Sequence, residues 1–218
     1  MVRLAHVTKV YRRGKEEVHA LKCADLAIRQ GEFVTVVGPS GSGKSTLLLT
    51  IGGMLHPTQG TVEVGGTDVY ALSGRARAKF RAERIGFVFQ MFHLLPYLTV
   101  LGNVLLPGLI AARKSQRQEA LSLLEHFGLG DRTRHKPSEL STGQRQRAAM
   151  VRALMSHPAL LLADEPTGNL DPENARVIMD YFGEFHQNGG TIVLVSHERL
   201  AGEYADRVAT IEDGRVRE

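Results

Sequence analysis

The residues best suited to chemistry lie between an apolar run at 33–37 and a leucine-rich segment that begins after position 45. Their spacing is G-x-x-x-x-G-K-S, in which glycines let the chain curl until successive backbone N–H groups point inward. A helix that starts at the lysine adds its positive dipole end, the lysine reaches β- and γ-phosphates, and the serine hydroxyl ligates Mg²⁺. The pattern predicts a nucleoside triphosphate site rather than an ordinary glycine-rich turn. Its residues are Gly38, Pro39, Ser40, Gly41, Ser42, Gly43, Lys44 and Ser45, followed by Thr46.

Two adjacent carboxylates follow another apolar run, at 160–163. In an α/β sheet, ligands gather at the carboxyl ends of the strands. We expect Asp164 to hold Mg²⁺ through its water shell, and Glu165 to act as general base on the water that attacks the γ-phosphate. The alternative is an acidic pair that caps a helix. The phosphate loop in the same chain favours the catalytic role.

A second candidate anion site opens the helix that ends near Met155. It combines a serine, a glycine and a helix N-terminus, which together attract a phosphate. One γ-phosphate does not need two such sites from one chain, so this second site calls for a further explanation. Its residues are Ser141, Thr142, Gly143 and Gln144.

Length and composition limit the possible classes of protein. The chain has 218 residues, 43% of them hydrophobic, which suits one large domain with a sizeable core and excludes disorder. The single cysteine, Cys23, excludes an internal disulfide and is expected to be a small buried hydrophobe without chemistry. No secretory signal is visible, so we expect the mature chain to start at Met1. The longest apolar stretch is interrupted by Pro96, Asn103 and Pro107, which predicts a chain that does not cross a membrane.

The net charge is +4, a modest excess that alone decides nothing about partners. The densest basic segment holds a single aromatic residue, Phe80, whereas proteins that bind single-stranded nucleic acid use several stacking aromatics. We therefore expect an exposed helical face there and no nucleic-acid partner. The basic residues of this segment are Arg75, Arg77, Lys79, Arg81 and Arg84.

Hydrophobic periodicity predicts two kinds of sheet and a helical segment between them. Alternating patterns near the N-terminus predict a small antiparallel layer, with strands at 2–10, 24–28 and 61–64. Continuous apolar runs predict a mostly parallel sheet covered on both faces. Those runs lie at 33–37, 85–89, 159–163, 191–195 and 208–211, the last before a hairpin at Asp213 and Gly214. The pattern between 91 and 158 is mostly helical.

The segment at 140–144 resembles the signature motif of ATP-binding cassette (ABC) ATPases, usually L-S-G-G-Q, and the other motifs occur in that family's order along the whole chain. The resemblance implies an α/β fold with a P-loop NTPase (RecA-like) core, an antiparallel β layer and a helical subdomain. It implies ATP and Mg²⁺ as ligands. Tyr11 matches the adenine-stacking aromatic, Gln90 the Q-loop glutamine that acts in catalysis and metal binding, Asp171 the D-loop aspartate, and His197 the switch histidine.

The same resemblance explains the second anion site. It implies a head-to-tail dimer in which Ser141 and Gly143 of one copy close on the ATP held by residues 38–45 of the other. Thr142 departs from the usual glycine, and its Cβ narrows the approach of backbone to phosphate, so we expect function to survive with altered turnover. The implied single domain covers 1–218, with a core at about 1–90 and 158–218 and a helical subdomain at about 91–157.

A finer resemblance, to ATPases of lipoprotein-releasing and macrolide-export systems, is carried by residues 91–100 and 164–171. It implies a separate integral membrane permease as partner and a position on the cytoplasmic face of the bacterial inner membrane, attached through that permease. Met91, Phe92, Leu94 and Leu95 are either permease contacts or core. The alternatives are a soluble ABC ATPase acting on nucleic acid or ribosomes, and a P-loop kinase, in which the helix at Ser141 and His197 would have no role.

Overall fold

The fold consists of two sheets and seven α-helices in the part of the chain that the computed structural model describes, residues 1–14, 16–110, 116–197 and 200–217. An antiparallel sheet has the order β2-β1-β4-β5 and a larger sheet the order β10-β9-β3-β8-β7-β6. The strands are β1 (Val2–Arg13), β2 (Glu16–Ile28), β3 (Phe33–Val37), β4 (Gln59–Val64), β5 (Thr67–Asp68), β6 (Ile85–Phe89), β7 (Leu160–Asp164), β8 (Thr191–Ser196), β9 (Arg207–Glu212) and β10 (Arg215–Arg217).

The larger sheet is parallel except for β10, which forms the expected hairpin with β9. Strands β3, β7 and β8 are almost fully buried, which is why they read as continuous apolar runs rather than as alternating patterns. The mostly parallel sheet, the antiparallel layer and the α/β class are confirmed. The predicted bounds of β3 and β6 match the structure residue for residue.

Two hydrophobic clusters cover the opposite faces of the larger sheet. Successive residues of β7 alternate between them, since Leu161 packs with the helices and Leu160 and Leu162 pack with the antiparallel layer and the first helix. Burying one such leucine contributes roughly 1.5–3 kcal/mol. The helices are α1 (Lys44–Ile51), α2 (Gly74–Arg84), α3 (Val100–Ile110), α4 (Arg117–His126), α5 (Thr142–Leu154), α6 (Pro172–Gln187) and α7 (Leu200–Glu203), with short 3₁₀ helices at Gly130–Arg132 and Pro137–Glu139.

Strand register brings the chemically interesting residues to one edge of the sheet. Phe89 of β6 lies opposite Asp164 of β7, which in turn lies opposite Val195 of β8, and Val37 of β3 lies opposite Ser196. The residues that follow these strand ends are the phosphate loop and the positions at 90, 165 and 197. A parallel sheet therefore gathers side chains that are far apart in the sequence.

Two expectations about the surface have different outcomes. The basic segment forms α2, a helix with no fully buried residue, and its exposed face, as predicted, carries Arg75, Lys79 and Arg84. Cys23, expected to be buried, is exposed on β2, so that prediction is wrong. The cause is an irregularity of the β1–β2 ladder, which turns the residue outward with a left-handed φ of 50°. Among the helices that the structure describes, none has the length and apolar character needed to span a bilayer.

Candidate functional site

The phosphate loop connects the end of β3 to the start of α1 and forms the floor of an open cavity of about 220 Å³. The loop supplies most of the lining, and one residue comes from the β1–β2 hairpin. The lining residues are Ala20, Ser40, Gly41, Gly43, Lys44, Ser45, Thr46 and Glu165. Ala20 was not foreseen from the sequence, because an alanine in a half-exposed strand carries no signal of its own.

The backbone of this loop requires glycine at two positions. Gly43 precedes α1 with a φ of 107°, and a Cβ there would lie 2.3 Å from the Ala20 carbonyl oxygen. A Cβ on Gly38 would lie 2.2 Å from the carbonyl oxygen of Ile211. Among the described residues, no side chain caps the N-terminus of α1. The N–H groups of its first turn are therefore left to bind a ligand. This cradle fits a phosphate group.

Lys44 is the cation of the cavity and is only 6% exposed. Its Nζ donates hydrogen bonds to the carbonyl oxygens of Gly38 and Pro39, at 2.8 and 2.9 Å. It also lies 3.9 Å from Oε1 of Glu165. A buried ammonium held by backbone carbonyls and one carboxylate is positioned to bind an anion that enters the loop.

Glu165 connects the phosphate loop to the end of β8. Its backbone has a φ of 44°, in the left-handed region that non-glycine residues rarely adopt, and its N–H donates to the Val195 carbonyl oxygen at 2.9 Å. The second carboxylate oxygen lies 3.2 Å from Nδ1 of His197. The structure thus joins Lys44, Glu165 and His197 in one chain of contacts, although they are distant in sequence.

Asp164 faces the start of α1. The Ser45 hydroxyl donates to its Oδ1 at 3.1 Å. Burial raises the pKa of Asp164 and the neighbouring Glu165 carboxylate adds to this effect, whereas the Ser45 hydrogen bond and the charge of Lys44 oppose it. A hydroxyl and a half-buried carboxylate form the hard oxygen donor set that suits Mg²⁺.

Gln90 follows β6 at the same sheet edge and lies next to the loop after Glu165. A Cβ on Gly168 would lie 2.9 Å from Nε2 of Gln90, and Nδ2 of Asn169 donates to the Gln90 carbonyl oxygen at 3.2 Å. The segment after Gln90 is held from α5, because the Arg152 guanidinium donates to the carbonyl oxygens of Phe92 and His93. Sequence reasoning did not find Arg152, whose role depends on a contact across 60 positions.

The second anion site lies at the N-terminus of α5. Ser141 is the N-cap, and its hydroxyl accepts from the Gln144 N–H at 3.2 Å while the Ser141 N–H donates to Gln144 Oε1 at 3.0 Å. Thr142 Oγ1 accepts a hydrogen bond from Arg145 at 3.3 Å. In the described part of the chain, the lining of the phosphate cavity includes none of residues 141–144. The structure therefore keeps the two anion sites of one chain apart.

Asp171 caps α6 and connects to the signature segment. Its two carboxylate oxygens accept from the backbone N–H and the side-chain amide of Asn174, at 2.9 and 2.7 Å. These hydrogen bonds lower the pKa of Asp171. Asn174 in turn packs against Gly143, where a Cβ would lie 2.3 Å from Asn174 Oδ1.

Tyr11 stands apart from these groups. Its ring is 42% exposed on β1, where it pairs with Val18 of β2, and Nζ of Lys9 lies 5.2 Å from the ring centroid. Within the described residues it does not line the phosphate cavity. It is an exposed aromatic on the same hairpin as Ala20.

Comparison with known proteins identifies the family. Residues 21–168 match the sequence model of the ABC transporter family, which is more than half of the chain. The chain belongs to the ABC transporter family. Among its ABC relatives is the ABC transporter ATP-binding protein YvrO of Bacillus subtilis (strain 168), which is uncharacterized and 46% identical over 99% of this chain and 95% of its own length.

A macrolide export ATP-binding/permease protein, MacB of Chlorobaculum tepidum, is 44% identical over 99% of this chain. The ABC chain described here spans about a third, 33%, of that relative's length. A solved dimeric structure of a bacterial ABC transporter cassette, MJ0796, has a TM-score of 0.94 and 40% identity and covers all of this chain. A dimeric post-hydrolysis state of the same cassette holds ADP and Pi. The chain is thus an ABC ATPase cassette of MacB-like sequence, and the transport ATPase is favoured over an ABC ATPase acting on nucleic acid or ribosomes.

Proposed function

We propose that this ABC cassette hydrolyses ATP as a dimer and uses the resulting closure and reopening to drive a separate integral membrane permease of lipoprotein-release or macrolide-export type. The observation that carries the proposal is the convergence of Lys44, Ser45, Asp164, Glu165 and His197 on the phosphate loop. These side chains come from three separate segments of the sequence, and together they supply phosphate binding, metal binding and a base.

In the proposed reaction Glu165 takes the proton of the attacking water, whose oxygen bonds to the γ-phosphorus as the bond to the β,γ-bridging oxygen breaks. Its contact with His197, at 3.2 Å, orients the carboxylate. Lys44 holds the β- and γ-phosphates, and Gln90 senses the γ-phosphate side of the site. The left-handed backbone of Glu165 aims the carboxylate at the cavity, in a conformation that is retained where the surroundings enforce it.

The donor set at Ser45 and Asp164 fits Mg²⁺, with Gln90 at the same sheet edge as a further oxygen ligand. When bound, Mg²⁺ neutralises charge on the phosphate oxygens. Burial raises the pKa of Asp164 because an ionised carboxylate is less well solvated there. A bound divalent cation would stabilise the ionised form.

The second half of the site is proposed to come from another copy of the chain. The hydroxyl of Ser141 accepts one hydrogen bond within α5 and keeps its own proton to donate to a phosphate oxygen. Gly143 and Gln144 belong to the same helix start, and Asp171 and Tyr11 lie on surfaces that we assign to the dimer contact and to adenine. The dimeric structures of the similar cassette support this arrangement.

The test is Glu165→Gln. We expect ATP binding to be retained and hydrolysis to fall at least ~100-fold, because the base is lost. We also expect an ATP-dependent dimer in size-exclusion chromatography. Glu212→Gln, at an exposed carboxylate of β9, is the matched control and should behave as the natural chain does. Full hydrolysis by Glu165→Gln would refute the role of Glu165.

An apolar groove of about 380 Å³ supports the permease as partner. It lies between α2, β6, α3 and α5 and opens beside the segment after Gln90, where Met91 is 68% exposed. The groove includes Met54, Phe89, Leu106, Pro107 and Arg152. We propose that a short helix of the permease occupies it, and that Arg152 passes its movement to the Phe92–His93 backbone. The helical subdomain at 91–157 and the position on the cytoplasmic face of the inner membrane belong to the same proposal.

Met54→Glu tests the groove. Met54 is 52% exposed on its rim, so the variant should fold, bind ATP and lose co-purification with the membrane subunit, because the new charge would be buried in the contact. Val208→Glu, at a 44% exposed position of β9, is the matched control and should retain the membrane subunit. Equal recovery of the membrane subunit with both variants would remove the groove from the proposal.

A further inference from the structure

We propose that His6, Cys23 and Asp25 form a binding site for a divalent transition metal ion, Zn²⁺ by its chemistry, on the exposed face of the antiparallel sheet. The donor atoms of the three side chains all lie within 4.8 Å of one another. None of these residues belongs to the ATP site, and the proposal does not rest on the proposed function.

Two irregularities of the β1–β2 ladder bring the three residues together. Between the pairs Leu4–Leu26 and Val7–Ala24, two residues of β1 face Asp25 alone, and His6 is one of them. Between Val7–Ala24 and the pair at Lys9, the single residue Thr8 faces two residues of β2, one of which is Cys23. His6 and Cys23 both have left-handed φ values, 52° and 50°. Bulges of this kind redirect side chains and are frequent near functional sites.

Backbone hydrogen bonds hold the cluster in this geometry. The His6 N–H donates to Asp25 Oδ1 at 2.8 Å, which leaves Oδ2 to face the imidazole ring. The Cys23 N–H donates to Thr8 Oγ1 at 3.0 Å. Gly60 of the neighbouring strand makes room for the bulge, since a Cβ there would lie 2.5 Å from the His6 carbonyl oxygen. The backbone of β1, β2 and β4 therefore fixes the positions of the three metal-binding side chains.

Two of the three distances between donor atoms match tetrahedral zinc coordination, and the third, between Cys23 Sγ and the Asp25 carboxylate, lies within 4.8 Å. The Cys23 Sγ lies 3.5 Å from His6 Nδ1, and Asp25 Oδ2 lies 3.4 Å from the same nitrogen. Usual zinc–ligand lengths and a tetrahedral angle give about 3.5 Å between nitrogen and sulfur donors and about 3.4 Å between nitrogen and oxygen donors. Nitrogen, sulfur and carboxylate ligands with an open fourth position are a donor set that Zn²⁺ accepts.

The alternative chemistry of the same three residue types is a nucleophilic triad. Such a triad needs the thiol on one imidazole nitrogen and the carboxylate on the other. Here the thiol and the carboxylate both face Nδ1, which offers either one proton or one lone pair. Three donors that converge on one point are satisfied by a cation, with the thiol proton released to solvent on binding.

Co²⁺ binding to the full-length protein tests the site, because thiolate coordination to Co²⁺ gives a near-ultraviolet charge-transfer absorption. Cys23 is the only cysteine of the chain, so this absorption reports on one position. We expect it to saturate at one Co²⁺ per chain and to disappear on addition of Zn²⁺. Absence of the absorption, or saturation at one ion per two chains, would overturn the proposal, the latter because the ion would bridge two molecules.

Variants separate the three ligands from other metal-binding groups. Cys23→Ser should abolish the charge-transfer absorption, and His6→Gln and Asp25→Asn should each weaken Co²⁺ affinity at least ~10-fold. The matched control is His126→Gln, which removes another exposed histidine, one that contacts the Glu184 carboxylate at 2.9 Å. Unchanged affinity in His6→Gln, or a loss as large in His126→Gln, would overturn the assignment.

A measurement on the natural chain makes the test independent of variants. Zn²⁺, added with excess Mg²⁺ to occupy the ATP site, should slow the reaction of Cys23 with a thiol reagent at least ~10-fold, since a coordinated thiolate is shielded. A chelator should restore the original rate. An unchanged rate with Zn²⁺ would contradict the proposal even if every variant failed to fold.

Discussion

The N-termini of α1 and α5 are built from similar residues but differ in how their N–H groups are used. The α1 terminus starts at Gly43, which has no side chain to cap it, so the loop leaves its donors to a ligand. The α5 terminus carries a capping box, in which Ser141 and Gln144 satisfy each other's backbone groups. Both are glycine- and serine-containing helix starts, and the sequence alone marks them equally as anion sites.

This difference shows that one chain supplies most of a phosphate site at α1 but only part of one at α5. The α1 site combines backbone donors, the buried Lys44 and the two carboxylates at the end of β7 within one chain. The α5 site has its helix cap already satisfied, and the Ser141 hydroxyl, which accepts from Gln144 N–H, still has its own proton to donate. We therefore expect ATP affinity of the single chain to depend on α1, and turnover to depend on both.

Lys44→Ala tests the α1 site and has the largest expected effect. Loss of the buried ammonium should lower ATP affinity and reduce ATPase activity by about 1,000-fold, because a preorganised charge at the phosphates is removed. Binding of a fluorescent ATP analogue and steady-state phosphate release measure this. Lys79→Ala removes an exposed lysine of α2 and should change neither quantity.

Ser141→Ala tests the α5 side. ATPase activity should fall about 100-fold while ATP affinity of the single chain stays within about two-fold, because the lost donor acts on the other copy's phosphate. Helix capping is also lost, at about 1 kcal/mol of stability. Ser73→Ala removes the serine N-cap of α2 and should lower stability similarly without affecting turnover. A parallel loss of ATP affinity in Ser141→Ala would contradict the division between the two helix starts.

Thr142→Gly sharpens the comparison at the position where this chain departs from its family's usual signature. The Thr142 hydroxyl accepts a hydrogen bond from Arg145 at 3.3 Å, so the variant should lose that contact and about 0.3 kcal/mol of intrinsic helix propensity. Turnover should change by less than about ten-fold in either direction. Both proteins are assayed side by side. An inactive natural chain that gains activity as Thr142→Gly would show that Thr142 blocks closure.

Asp171→Asn has the smallest expected effect and depends on pH. The folded-state pKa of Asp171 is lowered by its hydrogen bonds from Asn174, so its contribution to stability is present above the unfolded-state value near ~4 and is lost as pH falls through the folded value. The melting temperature of the natural chain should exceed that of Asp171→Asn at pH 7, and the two should converge under acid. Asp213→Asn should show the same trend, because Lys22 lowers the pKa of Asp213. A constant difference across pH would exclude a charge effect.

Much of the fold followed from local patterns. The strand at Phe33–Val37 is almost fully buried and that at Ile85–Phe89 is buried or half-buried at every position, so both read as unbroken apolar runs between polar turns. The first half of β2 was missed, because residues 16–19 are exposed and carry no alternation. Backbone hydrogen bonds pair this part of β2 with β1, and burial of side chains does not contribute.

The candidate site was predictable where chemistry is local in sequence and unpredictable where it depends on three-dimensional contacts. The phosphate loop was readable from its spacing, and Glu165 from its place after a strand. The contact between Glu165 and His197 and the hydrogen bond from Arg152 to the Phe92 carbonyl oxygen depend on how distant segments pack. The exposure of Cys23 depends on a bulge, for which one strand's sequence gives no signal.

The contact between Gly143 and Asn174 limits which substitutions the signature segment tolerates. A methyl group at 143 would overlap the amide of Asn174, whereas the side chain at 142 already has space and a hydrogen-bond partner. The motif therefore tolerates a larger side chain at position 142 but not at position 143. Thr142, the one residue of this segment that differs from the usual L-S-G-G-Q, lies at the position where the packing leaves room for a side chain.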